Sequence, residues 1–145
     1  MRRVGRRGFA STNVGVLDAG VVLVRLDRRH RSHAVVSELF ARAADSRLVL
    51  HLSVVNLAEV LQHSLRHARA TGLDVVAMLC AFSVSLHRPD TEVARRAAAL
   101  ASWPDTSLAD RFAAATAAAL AARLYTTDGA LADSLERERL PVTRF

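Results

Sequence analysis

Four acidic residues fall where acids can do chemistry: Asp18, Glu59, Asp110 and Asp128. Asp18 directly follows the short apolar run Val14-Gly15-Val16-Leu17, and Asp128 directly follows Leu124-Tyr125-Thr126-Thr127. Both runs read as strands buried on both faces, which puts each acid at a strand's C-terminal end. Ligands of open parallel sheets bind beyond those ends. Asp110 lies in the first turn of the helix preceding the second of these strands, and Glu59 lies two turns into the helix that follows a strand at 48–52. All four are therefore placed to face one end of a sheet. Carboxylates gathered that closely raise one another's pKa and need a cation to stay ionised together. Oxygen donors without His or Cys suit Mg2+ or Mn2+. Cations held in this way lower the pKa of a bound water, neutralise phosphate oxygens and stabilise a leaving oxygen, so hydrolysis of an RNA phosphodiester is the chemistry implied.

Taken singly, the acids have plainer readings. Ser107 and Asp110 form an S-x-x-D capping pattern at a helix start. Asp128, before Gly129, suits a turn or an N-cap. Glu59 shares a helix face with Asn56, His63 and Arg66, where a carboxylate ordinarily points to water. Asp18 stands apart, because an acid between a buried strand and an apolar helix is costly unless paired.

The elements that must position these residues are readable from periodicity. A strand at 14–17 leads into a short helix ending near 26, and Val35, Val36, Leu39, Phe40 and Ala43 mark a second helix over 33–44. After the strand at 48–52, Ser53 can cap a helix running to about 70. Gly72 breaks that pattern, a helix resumes over 73–82, and a strand follows at 83–86. Asp90 or Thr91 opens a helix through 100, Ser107 opens an alanine-rich helix reaching 123, and a strand covers 124–127. A short helix to about 139 and a strand at 141–144 close the chain. Alternating short strands and helices imply right-handed crossovers and a mostly parallel sheet covered on both faces, an α/β class. No repeat or linker divides the chain, so 13–145 reads as one domain behind a flexible basic lead-in at 1–12.

At 145 residues one domain buries roughly two-thirds of its unfolded surface. The single cysteine, Cys80, forms no internal disulfide, which makes a reduced cytoplasm the default. Charged residues interrupt every apolar stretch before the ~18 residues of a membrane span, and no secretory h-region follows the N-terminal arginines. Net charge is +6, and all 20 basic residues are arginine. Its planar fork favours phosphate or acidic partners, although an Ala- and Arg-rich composition is also what codon bias produces. The absence of lysine excludes receiver-type phosphotransfer, and Gly20 stands where a haloacid-dehalogenase-type phosphatase needs its second Asp. No Gly-rich phosphate loop is present. His63 and His67 stand four apart without an HExxH frame and read as helix surface rather than a zinc pair. Trp103 reads as a packing anchor, and with aromatics at 5% base stacking is not the main route to RNA.

In order and spacing, the segments Val16-Leu17-Asp18-Ala19-Gly20-Val21-Val22, Leu52-Ser53-Val54-Val55-Asn56-Leu57-Ala58-Glu59-Val60, Ser107-Leu108-Ala109-Asp110-Arg111-Phe112 with the alanine run after it, and Tyr125-Thr126-Thr127-Asp128 resemble the PIN-domain ribonucleases. The match is nearest to the small VapC-type toxins and spans 14–145. The resemblance implies a three-layer α/β/α sandwich around a mostly parallel sheet of four to five strands. It further implies a Mg2+- or Mn2+-dependent endoribonuclease acting as the toxin of a toxin–antitoxin pair, homodimeric, with a small antitoxin covering the acid pocket. Asp18 and Asp110 correspond to the acids that hold metal most directly. Glu59 and Asp128 complete the pocket, and Thr126 is an auxiliary hydroxyl beside a bound water. Arg25 and Arg111 are the rim arginines for phosphate contacts. Position 20 departs from the pattern: related toxins often carry Ser, Thr or Asn there. Asp105 and Asp133 are nearby alternatives at non-matching positions. The rival class is a catalytically inactive PIN-like module that binds RNA or a protein partner.

Overall fold

The structure is a computed structural model describing residues 13–66 and 74–145. The lead-in at 1–12, the end of the helix expected to reach 70, the break at Gly72 and His67 lie outside the described residues. The elements in chain order are β1 (Val14–Leu17), α1 (Ala19–Leu26), α2 (His33–Ala44), β2 (Val49–Ser53), α3 (Val54–Arg66), α4 (Val75–Ala81), β3 (Ser85–His87), α5 (Thr91–Ala99), α6 (Leu108–Ala119), β4 (Arg123–Thr126), α7 (Gly129–Arg137) and β5 (Val142–Arg144).

The strands form one sheet in the order β3-β2-β1-β4-β5, and every neighbouring pair is parallel. The expected α/β class holds, and the sheet is wholly parallel among the described residues. Strand residues alternate between its faces. Leu17, Leu50, Leu52 and Tyr125 join one core with Val21, Val22, Phe40, Val60 and Leu79 of α1 to α4. Val16 and Leu124 join the other, with Ala113, Ala114 and Ala117 of α6 and Leu131 and Leu135 of α7. Helix α5 packs on the outside of α6 through Val93, Ala97 and Ala115. The three layers expected from the segment pattern are thus present. β1 lies at the centre, flanked by β2 and β4, so the residue after Leu17 emerges between two neighbouring strand ends.

One helix ends well before its expected limit, and the closure that ends it recurs in the fold. The alanine run of α6 was expected to continue to 123 but stops at Ala119. Ala121 adopts φ 49, Ala121 N donates to Ala118 O, and Ala122 N donates back to Ala117 O at 2.9 Å. This left-handed closure turns the chain into β4, making Arg123 a strand residue. The same closure ends α2 at Ser46, α4 at Ser83 and α7 at Arg139, with φ 59, 58 and 57. Glycine is the usual residue there and the usual stop signal. None of these four positions carries it. Ser83 in that conformation also moves β3 from 83–86 to Ser85–His87.

Ala121 is exposed and strained by its Cβ in a left-handed conformation. Ala121→Gly is expected to stabilise the protein by about 0.5–1 kcal/mol, read as a higher urea midpoint at unchanged slope. An unchanged or lower midpoint would contradict this account of the turn.

Candidate active site

Asp18 caps α1 at the end of β1. Its backbone N–H continues the sheet by donating to Tyr125 O at 2.9 Å. Its carboxylate is 4% exposed, and the surrounding groups bond it on both oxygens. Oδ1 accepts from Ala19 N at 2.8 Å and, more weakly, from Asn56 Nδ2 at 3.5 Å, while Oδ2 accepts from Thr126 Oγ1 at 2.8 Å. Even so, burial dominates and pushes the Asp18 carboxyl up to about 7. The Thr126 and Ala19 bonds oppose that rise, and the charges of Asp110 and Glu59 add to it.

The other acids surround it from separate elements. α6 runs antiparallel to the strands, so its first turn lies at their C-terminal ends. Asp110 there closes a capping box: its Oδ2 accepts from Ser107 N at 2.6 Å, and its own N–H donates to Ser107 Oγ at 3.1 Å. Asp128 caps α7, with Oδ1 accepting from Leu131 N at 2.9 Å and its N–H donating to Thr126 Oγ1 at 2.9 Å. Glu59 reaches in from α3. Its side chain keeps contact with solvent, but partial burial of the head group raises its carboxyl pKa, and the charges of Asp110 and Asp128 raise it further. The four acids thus share one electrostatic environment at one edge of the sheet. Asp105, in the left-handed turn before α6, and the exposed Asp133 of α7 contribute to neither shift.

Asn56 was placed on a solvated face with Glu59, but it is fully buried. Its Nδ2 donates to Ala109 O at 3.1 Å and points to Asp18, tying α3 to α6 beyond the strand ends. Its Oδ1 is buried with no partner among the described residues. The sequence signal was its position in the first turn after β2, level with Asp18. Thr126 spends its hydroxyl proton on Asp18 and accepts from Asp128, so it links two of the acids. At position 20 a Cβ would collide with Thr127 Oγ1.

The expected rim arginines separate. Arg25 lies in the last turn of α1, with its guanidinium carbon 4.8 Å from the centre of the Phe82 ring and its Nε buried, which removes it from the acid edge. Arg111 is half-buried beside Asp110, and its Nε donates to Ser107 O at 3.2 Å. Arg144, which sequence reasoning passed over, ends β5 level with Thr126, and its guanidinium packs against Gly129 next to Asp128. A cleft of about 690 Å3 holds none of the four acids; Asn13, Leu48, Ala122 and Pro141 place it toward the strand starts.

A PIN domain family model matches residues 15–134. The chain belongs to the PIN domain family. No curated protein sequence matches it at a significant level. Among solved structures, this PIN domain resembles the sarcin-ricin loop cleaving toxin VapC20 of Mycobacterium tuberculosis, at 15% identity and TM-score 0.64 over 83% of this chain and 94% of that one. It also resembles VapBC2 of Rickettsia felis, solved with a DNA fragment of its promoter, at 16% identity and TM-score 0.63 over 90% and 98%. FitAcB of Neisseria gonorrhoeae is similar at 21% identity and TM-score 0.61 over 90% and 96%. At these identities the likeness is one of fold. No helix among the described residues is long and apolar enough to cross a membrane.

The acid edge of this PIN domain fits a hard divalent cation in donor chemistry. Four carboxylates face it, the buried Asn56 Oδ1 beside Asp18 lacks a donor, and among the described residues no arginine pairs with Asp18, Asp110 or Asp128. No three His, Cys, Asp or Glu side chains among the described residues form a ready-made cage. That arrangement suits Mg2+, which keeps several waters and takes only one or two carboxylates directly.

The burial of Asp18 carries a sign. Its folded pKa lies above its unfolded one, so its ionisation opposes folding; the penalty is absent below about pH 4, grows up to about pH 7 and then levels off. Without divalent cations, Asp18→Asn should match wild type near pH 4 and be more stable by roughly 2–4 kcal/mol at pH 8. Chemical denaturation of both proteins across that range tests this, and a constant difference would show that Asp18 does not titrate there.

Proposed function

We propose that this PIN domain is a Mg2+- or Mn2+-dependent endoribonuclease and the toxin of a toxin–antitoxin pair. The observation that carries the reading is the buried Asp18 carboxyl, raised to about 7 with Asp110 and Glu59 charged against it and no arginine partner among the described residues. A group so costly to ionise suits a site that a cation completes.

Asp18 and Asp110 would hold the cation, with Glu59 and Asp128 completing its surroundings. The cation would supply Lewis acidity at the phosphate and an acidified water as nucleophile. The protein's own part is preorganisation. Ala19 N and Thr126 fix Asp18, Ser107 fixes Asp110, and Leu131 N fixes Asp128, so the carboxylates need no rearrangement. Arg111 and Arg144, the arginines at this edge, would contact the RNA backbone on either side of the scissile phosphate. The net charge of +6 favours the approach of a polyanion to an acidic edge. Similarity of fold to VapC20, VapBC2 and FitAcB supports the toxin reading. With it come a small antitoxin lying over the acids, a homodimer and a cytoplasmic location.

Purified protein incubated with a cellular RNA pool should cut it with Mg2+ or Mn2+ and not with EDTA, and Asp18→Asn should abolish the cutting. Folded, antitoxin-free protein that leaves all RNA intact would point instead to a non-cutting binding module. Arg144→Gln should raise KM severalfold at similar kcat and reduce the salt slope of RNA binding by about one; an unchanged slope would remove Arg144 from the interface.

A further inference from the structure

We propose that Thr127 is a positioning residue of the acid pocket, delivering from the β4–α7 turn the hydroxyl that α1 leaves out, and that Gly20 is the gap that admits it. The inference deepens the metal-dependent reading above and rests on it.

Gly20 is the second residue of α1, two after Asp18. Glycine weakens a helix, so its presence in the first turn needs a reason. A Cβ built there would overlap Thr127 Oγ1, while Thr127 Cβ would lie at 3.6 Å and Cγ2 at 4.0 Å. The hydroxyl is thus the part of Thr127 turned onto α1, with the methyl farther off. Its backbone is pinned on both sides: Thr126 Oγ1 accepts from Asp128 N, and Thr126 O accepts from Phe145 N at 3.0 Å. A β-branched side chain on so fixed a backbone has little rotamer freedom. The hydroxyl is therefore held against the first turn of α1, the helix that Asp18 caps, on the residue that precedes Asp128, the cap of α7. Unlike that of Thr126, it makes no hydrogen bond among the described residues, and Thr127 is half-buried. A free donor and acceptor consequently stands beside the first turn of α1, next in the chain to Asp128.

The space is exclusive. A side chain at position 20 on α1 and the hydroxyl of position 127 on the turn compete for this space, because the Cβ at position 20 would overlap Thr127 Oγ1. This chain uses position 127. The hydroxyl there can bond the waters or phosphate oxygens that accompany a cation, and in that way orients what the carboxylates bind.

The test is Mn2+ binding by calorimetry together with metal-free melting, on wild type, Thr127→Val, Thr127→Ala, Gly20→Ser and the double variant Gly20→Ser/Thr127→Ala. Thr127→Val keeps the shape and should melt like wild type while binding Mn2+ about tenfold more weakly. Gly20→Ser should lower both the melting temperature and the affinity. The double variant, with its hydroxyl back in the same space from the other element, should melt like wild type and bind Mn2+ more tightly than Thr127→Ala. Unchanged affinity in Thr127→Val overturns the proposal, as does a double variant that regains its melting temperature yet binds no better than Thr127→Ala. A wild type that binds no Mn2+ overturns the metal-dependent reading itself, and this proposal with it; the wild-type titration tells the two failures apart.

Discussion

A carboxylate at the end of the central strand of a five-stranded parallel sheet has little access to bulk water, because strands flank it on both sides and a helix starts on top of it. Asp18 occupies that position at 4% exposure. A charge so placed must be hydrogen-bonded or paired, or else it takes up a proton. Much of the neighbourhood follows from this. Thr126 lies on the adjacent strand because β4 pairs with β1 in the register Leu17↔Tyr125, which brings the next residue level with Asp18. Asn56 is buried because α3 begins from the strand on the other side. Burial nevertheless pushes the carboxyl up to about 7 against the bonds from Thr126 and Ala19, and that residual cost couples the fold to whatever cation or proton the pocket takes up.

Three of the four acids serve the architecture and the pocket at once. Asp18 and Asp128 are N-caps, and Asp110 is the third residue of a capping box. Helix N-termini offer unpaired N–H groups and a partial positive charge, so an acid there is held in place by the backbone. The capping reading and the chemical reading of Asp110 and Asp128 are therefore compatible. Each uses one oxygen on the helix and keeps the other for the pocket. Glu59, which has no such cap among its described bonds, sits in mid-helix and retains more solvent.

Close packing at the strand ends makes small residues as informative as charged ones. Gly20 and Gly129 each stand where a neighbouring side chain approaches the backbone, a threonine hydroxyl in one case and the Arg144 guanidinium in the other. Each records a contact between elements more than a dozen residues apart in the chain.

Much of this was legible in the sequence. The apolar runs at 14–17 and 124–127 ended on acids, and helical spacing over 33–44 marked α2 to the residue, because burial on a regular element leaves a periodic trace that depends only on local geometry. The α/β class followed from the order of those elements. Other features left no local trace. Ser46, Ser83, Ala121 and Arg139 end helices in a left-handed conformation that their identities do not announce, since it is imposed by where the next strand must begin. Asn56 reads as a surface residue until α3 and α6 meet beyond the strand ends. Arg25 looks like any rim cation until α4 places Phe82 beneath it. Gly20 reads as a missing oxygen until the β4–α7 turn sets Thr127 against it. Periodicity determined where most of the elements run. Only the crossovers, which bring distant elements to one sheet edge, decided which polar groups meet there.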